Sequence, residues 1–245
     1  VSADRTARPR VAALITAAGS STRMGGLKKE YRPFRADGAE TITVLGASVL
    51  AFAESGLIDS IVVVAPADGE AEARDALPRR CLGPDAAPRV RFAPGGSSRR
   101  ASVHNGLKLL AVLGGADYVL IHDGARPWLD AGLIGRLVAA LSADRAVIPV
   151  MPLVETPKET DAEGYIVRHL RRASVQSAQT PQAFELAGIL AAHERAALAE
   201  MNEGIEFTDD AEVWGAYEGP VKTISGSPAN KKITFPEDLP APGGA

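Results

Sequence analysis

The chain has 245 residues, of which 46% are hydrophobic, 5% aromatic and 23% charged, with a formal net charge of −3. That length allows one large domain or one domain with an appendage, and the apolar fraction supports a sizeable core built mostly from Ala, Val, Leu and Ile. The near-balanced charge excludes bulk nucleic-acid binding, the single cysteine, Cys81, excludes an intramolecular disulfide and a cysteine-rich metal site, and no apolar run reaches membrane-spanning length. One thiol suits a reducing cytoplasm. Residues 1–10 lack the apolar stretch of a secretory signal and read as a flexible polar lead-in.

Residues 11–18 form an apolar run short enough to be a buried strand. Gly19, Ser20, Ser21 and Thr22 break it, and Arg23 and Lys29 follow with Gly25 and Gly26 between them. Small residues let the backbone approach a ligand, outward N–H groups make an anion site, and Arg and Lys add full charges, so the stretch reads as a phosphate cradle. The same residues would also make an ordinary strand-to-helix turn with two solvated cations. The spacing fits neither Gly-x-x-x-x-Gly-Lys-Ser/Thr nor Gly-x-Gly-x-x-Gly.

Beyond the cradle, apolar spacing predicts a helix over 41–55 closed by Gly56, a strand over 60–65 and a charged surface helix over 68–80. A short strand over 89–93, a helix over 97–113, a strand over 117–121, a helix over 130–142 and a strand over 146–151 complete the run. Four strand–helix alternations argue a three-layer α/β fold, a mostly parallel sheet with helices on both faces. Ligands in such sheets sit beyond the carboxyl ends of the strands, where residues 19–23, 95–102 and 123–126 all fall.

From Pro152 the rhythm changes. Strands are predicted over 154–158, 165–170 and 175–179, joined by polar turns, and residues 152–180 read as a projecting β-arm. A two-stranded ribbon is marginal alone, so the arm either packs on a second subunit or lies along its own domain. A helix over 183–200, another from Thr208 with Asp209 and Asp210 at its start, a strand over 221–224 and a brief strand over 232–234 follow. The reading is thus a single domain over 11–239 with a flexible tail at 240–245.

The chemistry-bearing groups are few. Gly95, Gly96, Arg99, Arg100 and Ser102 make a second loop-to-helix junction whose amides could read a base edge or meet a phosphate, with the Ser102 hydroxyl directed to a base or ribose; a plain helix start fits equally. Asp123 closes a strand and could hold a magnesium ion or a sugar hydroxyl, or cap the next turn and pair with Arg126. His122 reads as a structural or supporting histidine. No Gly-x-Ser-x-Gly elbow and no metal-ligand spacing among His104, His122, His169 and His193 are present. Cations, glycines and a carboxylate suit phosphoryl or nucleotidyl transfer.

Six blocks in order carry a resemblance: Ala17-Ala-Gly-Ser-Ser-Thr-Arg23-Met24 with Lys29-Glu-Tyr31; Gly95-Gly-Ser-Ser-Arg99-Arg-Ala-Ser102-Val103; His122-Asp123-Gly-Ala-Arg126-Pro127; Gln179-Thr180-Pro-Gln-Ala-Phe184; Thr208-Asp-Asp-Ala211; and Asn230-Lys-Lys232-Ile-Thr234. Together, from about residue 11 to 239, they resemble the 2-C-methyl-D-erythritol 4-phosphate cytidylyltransferases of the non-mevalonate isoprenoid route. The resemblance implies a nucleotide-diphospho-sugar-transferase type fold, a cytoplasmic homodimer joined through the β-arm, magnesium as cofactor, and transfer of the cytidylyl group of CTP to methylerythritol phosphate with release of pyrophosphate.

By the same resemblance Arg23 and Lys29 meet the triphosphate, and Ala17, Ala18 and Gly19 make backbone contacts to the nucleotide. Gly95, Gly96 and Ser102 surround the cytosine, and Asp123 and Arg126 lie near the ribose, metal and second substrate. Thr156 and Arg172 reach the methylerythritol phosphate from the arm, Thr208 joins that pocket, and Lys232 positions the incoming phosphate. Ser21 stands where a second glycine is frequent, and Lys28 where proline often precedes the lysine, so Lys28 competes with Lys29 for the triphosphate role; Glu30-Tyr31 following as in the family assigns it to Lys29. A ribitol-5-phosphate cytidylyltransferase and a non-catalytic nucleotide-binding protein on this fold are the alternatives.

Overall fold

The computed structural model describes residues 8–19, 28–83 and 85–240. Its central sheet is laid down first by β1 (Val11–Thr16), β4 (Ser60–Ala65), β5 (Arg89–Pro94) and β6 (Tyr118–Asp123), all parallel, in the order β5-β4-β1-β6. Beyond β6 comes β11 (Gln182–Glu185), antiparallel to both β6 and β7 (Ala146–Pro152), and β12 (Lys222–Ser225) pairs parallel with β7. The sheet is therefore mostly parallel with one reversed strand inside it.

The near-continuous apolar runs follow from burial on both faces. Side chains alternate across a strand, so Val11, Ala13 and Ile15 of β1 enter one core with Leu45, Val49 and Phe52 of α1 (Val44–Ala53) and Leu133 and Leu137 of α4 (Ala131–Ala140). Ala12 and Leu14 enter the opposite core with Val103, Leu107 and Leu110 of α3 (Arg99–Leu113), Ile189 of α5 (Leu186–Glu203) and Trp214 of α6 (Asp210–Tyr217). Three layers result, helices–sheet–helices.

Several local expectations are corrected. The helix expected over 41–55 is shorter: β2 (Pro33–Asp37) and β3 (Glu40–Thr43) form an antiparallel hairpin, and Thr43 caps α1 by accepting a hydrogen bond from the Gly46 amide at 2.9 Å. The helix expected over 68–80 reduces to α2 (Glu70–Asp75) and a 3₁₀ turn at Arg79–Cys81, because Pro78 interrupts it. The helix expected over 183–200 begins at Leu186, since residues 182–185 are β11. Residues 232–234 make no strand; one bond from the Ile233 amide to the Ala125 carbonyl, 2.8 Å, docks this segment beside β6.

Within the arm, β8 (Lys158–Thr160) and β9 (Ile166–His169) pair antiparallel as a separate two-stranded sheet, while β10 (Gln176–Ala178) returns to the main sheet and pairs with β7. The projecting part is thus the β8–β9 hairpin. It leaves Tyr165 73% and Val167 58% exposed, and Val154, ahead of the hairpin, is 81% exposed.

Candidate active site

Register alone places the sequence blocks side by side. Thr16 at the end of β1 pairs with Val64 of β4 and with Asp123 of β6, and Ala65 pairs with Pro94 of β5. Residues 17–19, Gly95 and Gly96, and Asp123 therefore leave neighbouring strands at their carboxyl ends. The Ala17 amide donates to the Val64 carbonyl at 2.8 Å and the Gly95 amide to the Ala65 carbonyl at 2.6 Å, extending the ladder into the loops. The Gly96 amide donates to Ser102 Oγ at 2.9 Å. The two glycine amides, which the sequence reading offered to a ligand, are thus engaged inside the loop, and the Ser102 hydroxyl, as acceptor in this bond, still has its proton to donate.

The glycines are needed for space. A Cβ on Gly95 would lie 2.5 Å from the Ala18 Cβ, and one on Gly96 2.6 Å from the Ala101 Cβ. Gly95→Ala is expected to push residues 17–19 away from the loop and raise the KM for nucleotide on the order of tenfold, with a smaller change in kcat, since ångström-scale misplacement costs up to about a hundredfold. Steady-state titration with CTP checks this; an unchanged KM would show that the two loops do not form one nucleotide site.

Arg23 lies outside the described residues. Lys28 and Lys29, one step apart, go to different places. Lys28 Nζ donates to the Gly19 carbonyl at 2.6 Å, at the mouth of the cradle. Lys29 opens a 3₁₀ turn, Lys29–Tyr31, is only 8% exposed, and lies within electrostatic reach of Asp238. The Asp238 carboxyl is held below its usual range chiefly by hydrogen bonds from the Phe235 and Thr234 amides, with Lys29 adding a smaller contribution.

Asp123 is the centre of charge. Lys232 Nζ stands 2.8 Å from its Oδ2, Arg126 Nε 3.6 Å from the same oxygen, and Arg99 Nε 3.6 Å from Oδ1. Burial alone would raise the Asp123 pKa, but Lys232, Arg99 and Arg126 outweigh it and hold the carboxyl well below the ordinary carboxylate range. Arg99 is shared with Asp210, 2.8 Å away, so three cations face two carboxylates and the cations still outnumber them, which suits a phosphate.

His122 braces this floor from behind. It is fully buried, and burial lowers its pKa to about 4, so the ring is neutral. A carbonyl can only accept, so Nε2–H donates to the Arg126 carbonyl at 3.2 Å, and Nδ1 accepts from the Thr180 hydroxyl at 3.0 Å. Thr180 Oγ1 in turn accepts from the Asp123 amide at 3.1 Å. Asn230 ties in the C-terminal segment: its side chain donates to the Thr180 carbonyl at 2.7 Å, and its carbonyl accepts from Arg126 Nη1 at 2.9 Å. Gln179 grips the same segment through both the amide and the carbonyl of Ser227. These hydrogen bonds place Lys232 over Asp123.

The remaining expected residues are not gathered there. Thr156 and Arg172 sit exposed on the arm, where Arg172 Nη1 donates to the Val154 carbonyl at 2.7 Å. Thr208 is exposed, and its amide and hydroxyl both donate to Glu212 Oε2 at 2.7 Å. The cap of α6 is Asp209, which accepts from the Glu212 amide, and not Thr208. Among the described residues no hydrogen bond or ion pair joins Thr156, Arg172 or Thr208 to the Asp123 cluster, and no group of three or more His, Cys, Asp or Glu is arranged to hold a metal. A single anionic carboxylate suits magnesium only where a ligand's phosphates and water complete the shell. Arg99, which the sequence showed merely as one cation of a loop, proves to be a member of the cluster; its place one turn before Ser102 was the available signal.

Two glycine- and alanine-built loops and a cationic floor beyond the carboxyl ends of a largely parallel sheet are the arrangement of a nucleotidyltransferase-type α/β domain. The chain belongs to the 2-C-methyl-D-erythritol 4-phosphate cytidylyltransferase family, whose model matches residues 11–242. It is 39% identical over 231 residues to a bifunctional enzyme IspD/IspF of Solidesulfovibrio magneticus, covering 92% of this chain and 54% of that protein. It is likewise 39% identical over 239 residues to a bifunctional enzyme IspD/IspF of Rhodopseudomonas palustris, covering 94% and 54%. The chain thus spans about half the length of these curated relatives. Among solved structures, 4-diphosphocytidyl-2C-methyl-D-erythritol synthase of Anaerococcus prevotii superposes with a TM-score of 0.76 at 29% identity over 95% of both chains.

Proposed function

We propose that the protein transfers the cytidylyl group of CTP to 2-C-methyl-D-erythritol 4-phosphate, giving 4-CDP-2-C-methyl-D-erythritol and pyrophosphate. The observation that carries this reading is the Asp123–Lys232 pair, closed at 2.8 Å across 109 residues within a floor that Arg99 and Arg126 make net positive. The nucleotide lies along residues 17–19 with its base toward Gly95, Gly96 and Ser102, and Arg23 with Lys28 or Lys29 meets its triphosphate. The acceptor phosphate sits against Lys232 and Arg126 and attacks the α-phosphorus in line. That phosphate is already anionic, so no general base is required, and the cations stabilise charge that builds on the α-phosphate oxygens. Asp123 is the carboxylate that would hold a magnesium ion, which when bound neutralises charge on the triphosphate.

The proposal extends to a homodimer, with Thr156 and Arg172 delivered to the partner's pocket. The apolar exposure of Val154, Tyr165 and Val167 supports it, since a two-stranded hairpin with bare apolar side chains gains by burying them. A Val154→Asp, Val167→Asp double variant is expected to sediment as a monomer and lose at least tenfold in activity, each buried charge opposing association by a kcal/mol or more. A dimer of unchanged stability would refute an arm-mediated interface. Among the described residues no helix is long and apolar enough to cross a membrane. We propose that the reaction takes place in the cytoplasm, as the family resemblance implies.

Pyrophosphate release from CTP and magnesium tests the assignment, with methylerythritol 4-phosphate and ribitol 5-phosphate compared as acceptors. Release with the first alone is expected. Release with ribitol 5-phosphate alone would replace the acceptor, and none from folded, CTP-binding protein would overturn the activity.

A further inference from the structure

Behind the catalytic floor lies a second buried carboxylate that the reaction above does not use. Asp210 opens α6 and is 1% exposed. Its Oδ2 accepts from Arg99 Nη2 at 2.8 Å, and its Oδ1 faces His193 Nε2 at 3.2 Å. His193 is fully buried on α5, and its carbonyl lies 3.4 Å from Arg100 Nη1, whose own Nε pairs with Glu200 at 2.6 Å. Next to Asp210, the Ala211 amide donates to Gln182 Oε1 of β11 at 3.0 Å, and Gln182 Nε2 donates to Asp209 at 2.8 Å. Asp210 is therefore held by Arg99 of α3 and His193 of α5, while Gln182 of β11 holds its two chain neighbours.

Arg99 is consequently a bridge between two carboxylates, one fixed and one at work. Its shorter contact is to Asp210, and the longer one, 3.6 Å, is to Asp123 Oδ1. A guanidinium is a planar fork that meets two acceptors in set directions. Held by Asp210, it attracts Asp123 without capturing it, and Asp123 Oδ2 stays with Lys232. Resting on the cytidylyltransferase reading of this pocket, we propose that Asp210 is a positioning residue: through Arg99 it divides the Asp123 carboxylate between Arg99 and Lys232 and so sets where the Lys232 ammonium stands for the incoming phosphate. Without Asp210, Arg99 turns wholly to Asp123, closes to hydrogen-bond distance, and draws the carboxylate off Lys232.

The test uses the full chain and two conservative variants. Asp210→Asn keeps the shape and removes the charge; Arg99→Lys keeps the charge, removes the fork and is made at a side chain 33% exposed, a milder change than one at the 1% exposed Asp210, and circular dichroism checks the folding of both. For either variant kcat is expected to fall roughly tenfold to a hundredfold and the KM for the acceptor phosphate to rise, with the KM for CTP within about twofold of wild type. The double variant is expected to lose little beyond the worse single, because both remove one bridge. Wild-type kinetics in folded Arg99→Lys, fully additive losses, or an equal change in both KM values would overturn the proposal. A crystal structure of a variant separates this failure from that of the activity itself: the Lys232–Asp123 contact is expected to lengthen, and an unaltered 2.8 Å pair would overturn the positioning role whatever the substrate proves to be.

Discussion

Lys232→Ala is expected to lower turnover by roughly two to three decades, the loss seen when one donor to transition-state charge is removed. The reason lies in how little else the lysine does. Its side chain is 36% exposed, and its one described ion pair is with Asp123. The segment around it is anchored by other groups: Ile233 is fully buried, its amide bonds the Ala125 carbonyl, and Asn230 spans to Thr180. Removing the ammonium therefore leaves the backbone seated and Asp123 still faced by Arg99 and Arg126. The thermal midpoint should move by no more than a few degrees, about what 1 kcal/mol produces in a chain of this size. Pre-steady-state pyrophosphate release at saturating CTP and acceptor measures the chemical step. Turnover within threefold of wild type would remove Lys232 from the reaction.

Asp123→Asn acts in the opposite way, on stability as well as rate. The carboxylate offsets three cations on the pocket floor, and deleting one partner of a buried ion group costs about 3–5 kcal/mol. A midpoint drop of roughly 6–20 °C follows. The pH dependence has a definite sign. Lys232, Arg99 and Arg126 overcome burial and keep the Asp123 pKa below its unfolded value of about 4, so its stabilisation is complete above that value and is lost as pH falls through the lower folded one. The gap between wild type and Asp123→Asn should be constant from pH 7 to about 5 and narrow below about 4. His122 adds a separate trend. Burial lowers its pKa to about 4, so stability declines as pH drops from about 6.5 toward 4, in both proteins, and largely cancels in the difference. Denaturant titrations at several pH values decide it; a gap that widens on acidification would contradict the charge assignment.

The legible parts of the fold are those buried on both faces. Strand β4 has the bounds its apolar run predicts, and β1 departs only by ending at Thr16, before the two alanines that continue into the cradle. The β2–β3 hairpin was hidden because it is mostly exposed, with Ile42 its one buried hydrophobic residue, and so carries no alternation to read. β11 was hidden for a different reason. Gln182–Glu185 runs into α5 with no Gly or Pro between, and Ala183 and Phe184 extend the helical pattern backward. β10 is too polar, Gln-Ser-Ala, to declare that it belongs to the main sheet. At the site, Asp123 and Arg126 are three residues apart and legible as a pair, whereas Lys232 entered only through resemblance, and Asp210 was read as a helix-start acid. Their meeting depends on where the chain returns, and neither periodicity nor spacing carries that information.

The reversed strand has a consequence for how the molecule is made. β6 and β7 are consecutive in the chain, yet β11 lies between them in the sheet. On the ribosome the N-terminal strands emerge first, and β5, β4, β1 and β6 can assemble while the rest is still being translated. The free side of β6 must then wait, open to mispairing, until residues 182–185 arrive to cover it. Asp123 waits longer still, for a lysine 109 residues downstream. A nascent chain thus carries the glycine loops and Asp123 well before it carries Lys232, so under the proposed mechanism the pocket floor is completed only when residues near 232 have been delivered.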